Sequence, residues 1–268
     1  MMGALMPALL IGFVASSISC MILAHRLSFL TVGVSHASLA GLGIAVTLSL
    51  PLLPTATVVA VLVALLLASM PKTEGISEDS GTGILFAGSM ALGIVLLAKA
   101  NSQDVDMLGL LFGNILTTSP QEHLWLLFIG TIIMISLILY ARSWWSIAFD
   151  AVTAQAGGMP VAFLRLMLYA IVGLTVILCV KLAGIVLTTG LLILPAATAW
   201  FWGRSMLHIW LLSVIGSLTA TMLGMMISYA YDWPSGATIV LSLCILFLIS
   251  WSLSWLNQRV KIAKHHPL

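Results

Sequence analysis

Charge is what this chain has least of. Asp, Glu, Lys and Arg make up 7% of its 268 residues, against about 25% in a water-soluble domain. So few charges cannot clothe a globular surface, which excludes a soluble fold. A net charge of +2 is also too small to argue for a nucleic-acid partner. The three cysteines, Cys20, Cys179 and Cys244, lie in apolar runs with no CxxC pair, so neither a disulfide framework nor a thiolate metal site is expected. A GxxxxGKS/T loop is missing, which excludes ATP binding by that route. HExxH, GxSxG and paired intramembrane carboxylates are missing too, leaving nothing for a membrane-embedded enzyme. The apolar runs hold almost no acids, where a secondary carrier needs them for ion coupling.

What the chain has instead is hydrophobic residues, 61% of the total. They fall into nine segments at 3–24, 30–50, 54–70, 82–100, 123–141, 161–181, 184–202, 207–230 and 235–256. Each is near the roughly 20 residues that cross a hydrocarbon core. The expected fold is an all-α, polytopic transmembrane bundle of about nine spans, forming one domain over 1–268. The short segment 54–70 and the tight joint at Lys181–Leu182 leave room for eight or ten. The first segment begins at the first residues without a basic lead, as a retained span does. His25-Arg26, Lys72, Arg142, Arg204, Arg259, Lys261 and Lys264 share one set of loops, and the other set has only Lys99 and Lys181. The positive-inside rule then puts the N-terminus outside and the C-terminus in the cytoplasm. Trp144, Trp145, Trp233, Trp251 and Trp255 fall at span ends, as an aromatic belt would.

One span carries an ionisable side chain well inside its apolar run: Leu30–Leu50 holds His36. On a helix Val32, His36, Ala40, Gly43 and Thr47 share a face of small, mildly polar residues. Such a face suits close helix packing or a narrow pathway. An intramembrane histidine is either a functional group or one bonded between packed helices. Among the loops, Asn101–Glu122 has an apolar centre, Leu110–Leu116, too short to span. Its Asp104 and Asp106, with Glu122 and the distant Asp232, fall on the outer side, where acids can steer cations into an entry. Segment 142–160 lies inside: Asp150 is placed to cap a short helix that Gly157-Gly158 and Pro160 end. The basic tail 257–268 fixes topology, with anionic membrane lipid as a secondary contact.

Taken together, Ser35–Gly41 (SHASLAG), Glu78–Leu96, Leu110–Leu116 (LLFGNIL), Phe149–Pro160 (FDAVTAQAGGMP), Gly190–Ala199 (GLLILPAATA) and Asp232–Leu241 resemble, in order and spacing, the membrane (permease) subunits of ATP-binding-cassette importers for zinc, manganese and iron. The resemblance runs over nearly the whole chain. It implies a bacterial inner (plasma) membrane protein, a homodimer or a pair with a related second permease, two cytoplasmic ATPases, and an extracytoplasmic metal-binding protein that delivers the ion. It implies no tightly bound cofactor, only a transported divalent metal ion. It assigns Asp150, Ala151, Ala154, Ala156 and Gly157 to ATPase coupling, and His36 to the metal, with Val32, Ala40, Gly43 and Thr47 along the pathway. One departure stands out: the family commonly carries an Asp four residues before this histidine, where this chain has Val32. A histidine-only transient site suits zinc or copper better than manganese or calcium. A partner supplying carboxylates, or a cargo that is not a bare ion, would also fit. The alternative is a permease for a metal chelate such as a siderophore or cobalamin.

Overall fold

With no water in a bilayer core to bond stray N–H and C=O groups, an apolar run must satisfy its own backbone, and a helix does so within one segment. The computed structural model, which describes residues 2–70, 78–99 and 120–265, follows that rule. Its elements are α1 (Met2–Ala24), α2 (Ser28–Thr47), α3 (Leu52–Ser69), α4 (Glu78–Lys99), α5 (Pro120–Phe149), α6 (Ala151–Ala156), α7 (Val161–Trp200), α8 (Met206–Tyr231) and α9 (Ser235–His265). Among the described residues nine stretches are long and apolar enough to cross a membrane. The short α6 is not one of them, and α7 supplies two, Val161–Lys181 and Ala183–Trp200.

The division of α7 follows from Gly184, at φ 75°, ψ 172°, a region open to glycine and costly for any other residue. The chain reverses there. Leu164 of the first half accepts from the indole of Trp144, and Ala196 of the second half donates to Ser19 near the end of α1. His25, just beyond α1, in turn bonds Trp144, so 164 and 196 lie at one end of the bundle. Lys181 lies at the other end, 2.8 Å from Glu122 at the start of α5. The tight joint at Lys181–Leu182 is therefore a hairpin between two spans. Further on, Pro195 stands within the second half, and the Ser19 hydroxyl accepts the neighbouring Ala196 N–H at 3.2 Å.

The interior gathers α1 and the first half of α7: Ile11, Ile18, Ile22, Leu168, Ile177 and Leu178 are fully buried. In lipid such packing has little hydrophobic drive, so small residues and interhelical hydrogen bonds carry more of it. Ser213 and Ser217 of α8 donate to the carbonyls of Ser16 and Gly12 on α1, at 3.1 and 3.0 Å, contacts worth roughly 0.6 kcal/mol each. Two sequence expectations change. The helix expected to stop near 141 continues to Phe149. Trp144 is no belt residue either: it is fully buried and its indole N–H reaches Leu164 at 2.9 Å, because α7 packs over that side of α5. Trp233, Trp251 and Trp255 are exposed, as a belt requires.

Candidate functional site

The second helix spends its hydroxyls on its own backbone. Thr31, Ser35, Ser38 and Thr47 donate to carbonyls three or four residues back, at 2.5–2.8 Å. His36 does not: among the described residues its contact is the ring of Phe86 on α4, edge-on, with centroids 4.7 Å apart. It is half-buried, as is Val32 one turn earlier. No other acidic, basic or histidine side chain of the described residues lies as far inside a span, eight residues from the start and eleven from the end of Ser28–Thr47.

The α2–α4 seam is set by glycine. A Cβ on Gly93 would lie 2.8 Å from Ala40 N and from Leu39 C, both backbone atoms. On Gly43 it would lie 3.1 Å from the Gly93 carbonyl. Close approach here requires glycine. Ala40 and Gly43, expected along the pathway, are buried against α4, where Gly93 lets the two backbones meet. Thr47 is exposed at the end of α2. Phe86 and Gly93 belong to this site although no spacing within α2 points to them.

At the end of the bundle that holds Trp144, the short α6 forms as expected. Asp150 is its N-cap, and its carboxylate accepts from Val152 N at 3.0 Å, Thr153 N at 3.1 Å and the Thr153 hydroxyl. These bonds, the Thr153 hydroxyl foremost, hold the carboxyl below the usual range. Gly158, at φ 84°, ends the turn. Of the residues expected to face a partner, Ala151 and Ala156 are exposed with Gly157. Ala154 is 5% exposed and turned into the bundle, where it seats the helix. Val152 was not anticipated: it is 79% exposed on α6, beside Phe149 at 71%.

Beside α6 a cavity of about 310 Å³ is lined by His25, Arg26, Trp144, Ala151, Arg165 and Tyr169 among others. Burial, with the Arg165 charge nearby, pushes the His25 pKa down against the pull of its bond to the Trp144 carbonyl. Its Nε2 donates to that carbonyl at 2.9 Å.

Four acids are expected at an outer entry. Asp104 and Asp106, with the segment Leu110–Leu116, lie outside the described residues. Glu122 is paired with Lys181, so its charge is offset and it ties α5 to the α7 hairpin. Asp232 takes a left-handed conformation at φ 52° and closes the end of α8.

Among the described residues, nine apolar spans, a buried glycine seam beside an intramembrane histidine, and a capped surface helix mark a multi-pass membrane protein. The chain belongs to the ABC 3 transport family, whose family model matches residues 1–254. It is 33% identical to "Manganese transport system membrane protein MntC" of Halalkalibacterium halodurans over 96% of this chain and 91% of that one. It is 29% identical to "Manganese import system permease protein ScaB" of Streptococcus gordonii, over 97% and 94%. Among solved structures, "PsaBC from Streptococcus pneumoniae in complex with Fab" matches with TM-score 0.84 and 31% identity, over 93% of this chain and 90% of that chain.

Proposed function

We propose that this chain is the membrane pathway of an ATP-driven importer of a bare divalent metal ion, with His36 contributing one imidazole per copy. The observation that carries the reading is His36 itself, an uncapped nitrogen ligand deep in a span of a chain whose relatives are named as manganese importers. Two copies, or this chain and a related second permease, would bring two such nitrogens together. Passage wants weak, incomplete coordination and not a closed cage. Kinship favours manganese. Val32 favours a second reading, zinc, since it removes the oxygen ligand that manganese prefers.

In this reading the end bearing His25, α6 and Arg204 is cytoplasmic, by its share of Lys and Arg. The α6 helix docks on a separate ATPase, and closure of two ATPases pushes it against the bundle. Val152 supplies the apolar contact. Val152→Glu is expected to cut recovery of the ATPase with the purified permease by about tenfold and leave thermal stability unchanged, since an exposed site shifts it by no more than about 0.5 kcal/mol. Full recovery would remove Val152 from the interface.

The reading is tested by reconstituting the chain in vesicles with its ATPase and an extracytoplasmic binding protein. ATP-dependent accumulation of free manganese or zinc ion supports it. Accumulation of a metal chelate alone would replace it with the chelate-importer alternative.

A further inference from the structure

We propose that His25 is a positioning residue that latches the root of the His36 helix to the helix carrying α6, so that movement of α6 reaches the metal pathway. The proposal rests on the reading of α6 as the ATPase dock.

His25 stands in the turn between α1 and α2, and that turn is stiff. His25, Arg26 and Leu27 donate backbone N–H groups to Met21, Leu23 and Ile22 at 3.0, 3.1 and 2.8 Å, and Arg26 is held at φ 58°. A displacement of His25 is therefore a displacement of the first turn of α2. His36 lies eight residues into α2, about 12 Å along the helix axis from its first residue.

The other half of the latch is Trp144. It is fully buried. Its carbonyl accepts from His25 Nε2 at 2.9 Å, and its indole donates to Leu164 of α7 at 2.9 Å. Three elements thus meet at one tryptophan. From there α5 runs on to Phe149, and a single extended residue, Asp150, separates it from α6. That joint is bonded on both sides: Asp150 N donates to Ser146, and Ala154 N to Asp150, both at 3.1 Å. These bonds, with Ala154 buried, tie α6 to the end of α5.

The 310 Å³ cavity bears on direct contact between the turn and α6, beside the separate packing of α2 on α7. Arg26 faces it from the turn and Ala151 from α6, so the two elements are separated there by open space. Arg165, on the same wall, is held by its own helix, with its guanidinium 5.5 Å over the Tyr169 ring and 3.3 Å from the Tyr169 hydroxyl. Van der Waals contact does not transmit a push across a void. The His25–Trp144 hydrogen bond spans its edge.

The test uses the complete complex in vesicles and reads manganese or zinc ions accumulated per ATP hydrolysed. His25→Leu is expected to retain the ATPase and hydrolyse ATP, while ions moved per ATP fall about tenfold or more, the range of a coupling energy. His25→Gln, whose amide nitrogen reaches where Nε2 stands, is expected to restore the ratio to within about threefold. His25→Asn, polar but too short to reach, is expected to behave as leucine does, and it serves as the test if leucine hinders assembly. A wild-type ratio in the leucine or asparagine variant overturns the latch. So does an equal loss in all three variants together with an equal fall in thermal stability, the mark of a merely structural bond. The triple variant Ala151→Glu, Val152→Glu, Ala156→Glu on the exposed face of α6 separates this from failure of the docking reading: if it keeps the ATPase, the dock is wrong; if it loses the ATPase while His25→Leu stays coupled, only the latch is.

Discussion

Gly93→Leu is expected to abolish transport and lower the melting temperature of the purified protein. The reason is geometric. Even a single carbon at this position would sit 2.8 Å from Ala40 N and Leu39 C and 2.9 Å from Leu39 O. All three are backbone atoms in the middle of a helix and cannot turn aside. α4 must move off α2 before even that carbon reaches ordinary contact at 3.4–4 Å, and leucine asks for more. Overpacking costs about 1–3 kcal/mol when neighbours can adjust, and here they cannot. The same shift would pull Phe86 from His36, whose ring centroids are 4.7 Å apart. Gly93→Ala is expected to show the same effects in milder form. Wild-type uptake and melting for Gly93→Leu would mean that the α2–α4 seam is not rigid in the membrane.

The second large effect concerns the residue one turn before His36. Val32→Asp is expected to raise manganese uptake relative to zinc by about tenfold or more, measured on both ions in the same vesicles. A carboxylate at this spacing lies on the same helix face as the imidazole. It adds the hard oxygen that manganese takes readily, while zinc is well served by nitrogen already. A ligand gain of about 1.4 kcal/mol is tenfold in affinity. Val32 is half-buried, so the new charge would have water or the ion as partner and not a sealed core. An unchanged ratio would show that the ion does not pass within reach of this face.

Several features of this molecule are local, and local features were readable. The nine spans follow from composition and length. Asp150 could be recognised as a cap because capping needs only a short polar side chain before a helix, and its bonds to Val152 N and Thr153 N are within three residues. The α7 hairpin was partly visible, since the segments at 161–181 and 184–202 left no room for a loop. What stayed hidden depends on distant parts of the chain. Glu122 looks like an entry acid until Lys181, 59 residues away, is found beside it. Trp144 sits where a belt tryptophan would, and only the packing of α7 buries it. Ala40 and Gly43 share a face with His36, but a face says nothing of which helix covers it. Val152 resembles any apolar residue in a short helix until its neighbours are seen to leave it exposed.

The account turns on His36 as the ligand that the ion meets inside the membrane. The direct test is ATP-dependent metal accumulation by the assembled complex carrying His36→Ala, with ATPase recovery checked alongside. The account predicts an intact complex whose manganese and zinc accumulation both fall by at least about tenfold, a size that even supporting residues around a metal reach. Accumulation of either ion at the wild-type rate would contradict it.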